Sequence, residues 1–68
     1  MRVQIKKLVH LKPDEKYGLR VGATGTVIKR TQYEFWIKID GVEEHLSLGL
    51  MGNGWPLKRS ELKLLGDN

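Results

Sequence analysis

No cysteine occurs among the 68 residues, which excludes disulfide staples and every zinc or iron–sulfur site built on thiolates. The two histidines, His10 and His45, are too far apart in sequence to form a local metal motif. A single alanine, Ala23, and eight glycines spread along the chain argue against long helices. No window keeps apolar residues at i, i+3, i+4 and i+7 for three turns. Aromatic residues are scarce at 7%. No apolar run approaches the ~20 residues that cross a bilayer, and nothing reads as a signal peptide. A small cytoplasmic module without membrane contact is expected. The only serines, Ser47 and Ser60, lack a triad context, and on a strand the adjacent Glu43 and Glu44 would point to opposite faces. The chain therefore reads as a non-enzyme with no metal site and no small-molecule cofactor.

The charge is unevenly placed. Residues 1–30 hold eight Lys/Arg against Asp14 and Glu15, a balance of +6. Residues 31–57 hold Lys38 against Glu34, Asp40, Glu43 and Glu44, a balance of −3. The remaining residues add +1, for a net charge of +4. Such a basic chain with an acidic middle suits either phosphate or an acidic protein surface.

Strand signals fill the rest. Val3-Gln4-Ile5 alternates, and a long loop through Pro13-Asp14, Gly18 and Gly22 follows. Gly25–Ile28 reads as a second strand. Tyr33–Ile39 is the clearest strand, with Phe35, Ile37 and Ile39 on one face and Trp36 and Lys38 on the other. Asp40-Gly41 then predicts a two-residue hairpin turn. That register would set Ile39 against Val42, Lys38 against Glu43, Ile37 against Glu44, Trp36 against His45 and Phe35 against Leu46. The segment Gly49–Pro56 reads as an apolar, glycine-rich loop, Leu57–Ser60 as a short turn, and Glu61–Leu65 as the last strand. The expected core is Val3, Ile5, Val27, Phe35, Ile37, Ile39, Leu46, Leu57, Leu62 and Leu64.

This order resembles the small SH3-like barrel, in particular its KOW-type bacterial and phage relatives. The resemblance rests on Val21–Val27, on Phe35–Gly41, and on Pro56–Leu65 as the closing turn and strand. It implies an all-β fold: one five-stranded antiparallel SH3-like barrel over residues 1–65, with a long first loop, a short 3-10 turn before the last strand, and a disordered tail at 66–68. Tyr17 is the only aromatic in the first loop, so the proline-peptide receptors of this fold class are a poor match. Barrels of this kind serve many ends, and the fold alone does not name one.

Two functions are expected in order of preference. The first is a protein-interaction or regulatory module, of a kind carried by phages or mobile elements, that engages a protein partner through Trp36, His45, Leu50 and Met51. The second is a KOW-like RNA- or DNA-binding module that uses Lys6, Lys7, Lys29, Arg30, Lys58 and Arg59, with Trp36 as a stacking platform. Each group also has a plainer reading. Trp36 can instead pack over Val27 and His45, Trp55 can cap the open end of the barrel, and the basic pairs can be solvated turn charges. Gly22 and Gly25 suit a sharp turn into the second strand better than a phosphate cradle.

Overall fold

The computed structural model describes residues 1–66. Five strands form one antiparallel sheet: β1 (Arg2–Ile5), β2 (Thr24–Arg30), β3 (Phe35–Ile39), β4 (Trp55–Leu57) and β5 (Leu62–Gly66). Their order is β4-β3-β2-β1-β5. The sheet is not closed by hydrogen bonds, so β4 and β5 remain its edges. Two 3-10 turns, Glu15–Tyr17 and Arg59–Glu61, and a single helical turn, α1 (Glu44–Ser47), complete the secondary structure. No helix among the described residues is long and apolar enough to cross a membrane.

Alternation places the core. Val3 and Ile5 of β1, Ile37 and Ile39 of β3, Leu57 of β4 and Leu62 of β5 are buried in one cluster, six of the ten residues expected there. Val27 and Phe35 are half-buried and pack against it. Leu64 faces the same way as Val3, but β5 is an edge strand and leaves it 39% exposed. The cluster also takes in Leu19 and Ala23 from the long first connection, neither of them expected. Asp14 and Leu19 exchange backbone hydrogen bonds of 2.8 and 2.9 Å around the first 3-10 turn, and this pinch aims Leu19 inward. Gly25 is demanded by packing, because a Cβ there would come within 2.4 Å of the Lys38 carbonyl oxygen across the ladder.

The fourth strand is not where the hairpin signal puts it. β3 pairs with Trp55–Leu57, in the register Phe35 to Leu57, Trp36 to Pro56 and Ile37 to Trp55. Asp40-Gly41 does turn the chain, with Gly41 at φ 84, but residues 44–47 then coil into α1. The physical reason lies in Glu44. A direct return strand would set its carboxylate on the core face opposite Ile37, whereas α1 carries it to the surface, 3.3 Å from the Lys38 ammonium. The expected Lys38–Glu43 and Trp36–His45 pairs are therefore absent, and Leu46 is half-buried beside a groove instead of in the core. At the other end, the second 3-10 turn falls before the last strand as expected. Gly66, placed in the tail by the sequence, ends β5 opposite Arg2, and Asp67 and Asn68 lie outside the described residues.

Two charged groups bind distant segments. Arg2 makes a two-pronged ion pair with Asp40 and donates to Thr26 Oγ1 at 2.7 Å, while Thr24 Oγ1 donates to Asp40 Oδ2 at 2.7 Å. The hydrogen bonds from Arg2 and then Thr24 hold the Asp40 carboxyl below its ordinary range. Glu61 is the more unusual group, at 1% exposure. Its Oε2 accepts from the Val9 N–H at 2.8 Å and its Oε1 from the Lys58 N–H at 3.0 Å. Its carbonyl accepts from the N–H groups of Lys6 and Lys7 at 2.9 and 3.3 Å. Burial alone would push this carboxyl up, but the Val9 and Lys58 donors, with His10 nearby, outweigh that and hold it low.

A carboxyl that is more acidic folded than unfolded contributes its full stability above its ordinary value of 4.5, and loses it as pH falls through the folded value. Glu61→Gln keeps the shape but turns one acceptor into a donor facing a backbone N–H. It should cost about 1–3 kcal/mol at neutral pH and flatten the acid limb of the stability profile. Urea unfolding between pH 7 and pH 2 tests this, and a variant as stable as the wild type at pH 7 contradicts it.

Candidate functional site

The two long connections of the fold, residues 6–23 and 40–54, meet at Trp55. Its indole stands edge-on to the Tyr17 ring, with centroids 5.2 Å apart and planes at 61°. Its Nε1 donates to the Leu46 carbonyl at 3.4 Å. Its ring lies on Gly49, where an added Cβ would come within 3.2 Å of an indole carbon. The expected loop residue is thus a strand residue whose side chain covers one end of the core and fastens both connections to it.

Between the connections lies an open groove of about 760 Å³. Lys16 and Tyr17 form one bank; Glu44, His45, Leu50 and Met51 lie on the other, and the half-buried Leu46 and Leu48 also line it. Local sequence explains the shape. Asp14 caps the first 3-10 turn by accepting from the Lys16 N–H at 3.0 Å, and Gly18 closes it at φ 74. On the far bank, Ser47 Oγ donates to the Glu44 carbonyl at 2.7 Å, and the Gly54 N–H reaches back to the Leu48 carbonyl at 2.6 Å. These bonds anchor the loop at both ends and leave its tip outside. Leu50 is 81% and Met51 82% exposed.

Three of the four residues expected to bind a partner therefore share one site: His45, Leu50 and Met51. Trp36 does not join them. It sits on the outer face of the sheet between Lys29 of β2 and Pro56 of β4, half-buried, with its indole N–H shut off from solvent and without an acceptor among the described residues. Tyr17, Leu46 and Leu48 belong to the groove and were missed. The signal that could have found Tyr17 is its isolation as the one aromatic between Pro13 and Gly18.

The basic residues divide as well. Lys6, Lys7, Lys58 and Arg59 are all exposed, and the backbone bonds to Glu61 draw the first three to one end of the sheet. Among the described residues none of the four has a carboxylate within salt-bridge reach. Lys29 and Arg30 end β2, and Arg30 is separated from Leu57, the neighbour of Lys58, only by Phe35 of β3. Compared with known proteins, the chain matches no family model, no curated protein and no solved structure significantly.

The groove's frame and its lip should separate in a thermal melt. Trp55→Ala removes a half-buried indole and its edge contact with Tyr17, and should cost about 2–4 kcal/mol, lowering Tm by roughly 10 °C or more. On protein dilute enough that association does not contribute to Tm, the double variant Leu50→Ser, Met51→Ser should melt within about 2 °C of the wild type, because these chains are exposed already. Equal losses in both variants would make the whole loop part of the core.

Proposed function

We propose that this chain is a non-enzymatic protein-interaction or regulatory module of the SH3-like, KOW-type class, similar to cytoplasmic modules carried by phages or mobile elements. The observation that carries this reading is the lip: two large apolar side chains, each more than four-fifths exposed, held beside a hollow whose lining residues Tyr17, Leu46 and Gly49 all touch Trp55. Apolar surface held out in this way is stabilised by being covered, and adjacent leucine and methionine adapt well to a partner's shape. The five-stranded order and the 3-10 turn before the last strand support the SH3-like assignment.

A second reading has its own support. The convergence of Lys6, Lys7 and Lys58 on Glu61, with Arg59 adjoining, favours a nucleic-acid backbone as partner. It ranks below the first because Trp36, the residue needed for base stacking, is half-buried with its N–H enclosed.

One experiment compares the readings. Wild-type protein, the Leu50→Ser, Met51→Ser variant and a Lys58→Glu, Arg59→Glu variant serve as bait in a pull-down from nuclease-treated lysate, and each is titrated with single- and double-stranded oligonucleotides at rising salt. Under the first reading the lip variant alone loses a captured protein, and oligonucleotide binding is weak throughout. Oligonucleotide binding that falls steeply with salt and vanishes in the Lys58/Arg59 variant, while the lip variant behaves as wild type, replaces the first reading with the second.

A further inference from the structure

Resting on the protein-interaction reading, we infer that the partner covering this groove is a second copy of the same chain, docked about a two-fold axis that runs along the groove. Three features of the site meet the demands of such an interface.

The first is that knob and hollow lie side by side on one face. A two-fold interface uses the same patch on both subunits, so it must offer both halves of every contact. Leu50 and Met51 project from one bank, and the half-buried Tyr17 lines the other. A rotation about the groove axis lays each copy's second bank against its mate's first bank, bringing each lip onto the opposing Tyr17.

Charge repeats the pattern. Lys16 stands on the Tyr17 bank, with its ammonium 5.5 Å from that ring; Glu44 lies on the bank of the lip, where it already meets Lys38 at 3.3 Å, with Glu43 beside it and 3.5 Å from His45. The same rotation sets each Lys16 against the acids of the other copy, giving two equivalent pairings. A patch with one sign on both banks would repel its own image. This one is complementary to itself.

The third feature is the small core. Eight buried apolar residues hold the fold, and the sequence has no cysteine to add a disulfide. Association is one of the few remaining ways for a chain of this length to bury more apolar surface. The groove also needs no rearrangement first, since the backbone bonds at Leu48 and Gly54 and the Trp55 contact hold it open.

Sedimentation velocity and concentration-dependent melting of the full chain at low salt test the inference. The expected result is a species of twice the monomer mass and a Tm that rises with protein concentration. Leu50→Ser, Met51→Ser should weaken dimerisation on the order of 100-fold. Lys16→Glu and Glu44→Lys should each weaken it about threefold to tenfold, and an equimolar mixture of the two should associate better than either alone. Both exchanges are at exposed positions, and circular dichroism confirms that each variant is folded. A wild-type chain that stays monomeric at its highest soluble concentration overturns the inference. If that monomer still captures a foreign protein through Leu50 and Met51, the inference fails while the proposed function stands. If it captures none, both fail. A dimer that neither the lip variant nor the charge exchanges disturb also overturns it, because the interface then lies elsewhere.

Discussion

The packing of Trp55 against Tyr17 is the contact on which the functional face depends. About half of the chain lies in two connections, residues 6–23 and 40–54, whose ladder contacts are few. Ordering that much backbone is costly, at about 1–2 kcal/mol per residue, and something must repay it locally. Part of that comes from the buried Leu19 and Ala23 and the backbone bonds within the connections, and the indole adds an edge-on aromatic contact, a hydrogen bond to Leu46 and a close fit on Gly49 that tie the two together. Since β4 pairs with β3, the position of the indole is set by the sheet. The groove is therefore a consequence of strand register as much as of loop sequence.

Glu61 performs the corresponding service at the opposite edge. An open sheet must protect its edges, and here the second 3-10 turn carries the chain from β4 to β5 past the start of the first connection. Four backbone N–H groups from residues 6–9 and 58 end on this one residue. Two of them, from Val9 and Lys58, reach the carboxylate itself, and these donors hold it acidic against its burial, while the other two meet the main-chain carbonyl. The same arrangement gathers Lys6, Lys7 and Lys58 at the surface. Their proximity thus has a structural cause, which tempers any functional meaning drawn from it.

Much of the fold was legible in the sequence. The alternation of Phe35, Ile37 and Ile39 placed β3 and its inward face, and Gly22 and Gly25 marked the entry to β2. What misled was Asp40-Gly41, a strong local turn signal overridden by the cost of pointing Glu44 into the core. Trp55-Pro56-Leu57 was hidden for a related reason. Proline is a poor strand former except at an edge, and β4 is an edge, so its neighbours' glycines made it look like loop. Leu19 and Ala23 were invisible as core because they come from an irregular segment with no period to read. Of the site, the lip at Leu50 and Met51 was readable from apolar residues flanked by glycines. Tyr17 stood out only as the lone aromatic of the first loop; that it forms a bank of the groove depends on a contact between residues 38 positions apart, which no local pattern shows.

The central claim is that Trp55 joins the two connections into a preformed groove whose lip is independent of the core. Nuclear Overhauser spectroscopy on the isolated chain, with labelled methyl groups, tests it most directly. Cross-peaks are expected between the ring protons of Tyr17 and Trp55, and none linking the Leu50 or Met51 methyls to Ile37, Ile39 or Leu57. Absence of the Tyr17–Trp55 cross-peaks, or methyl contacts from Leu50 and Met51 into that core, would contradict it.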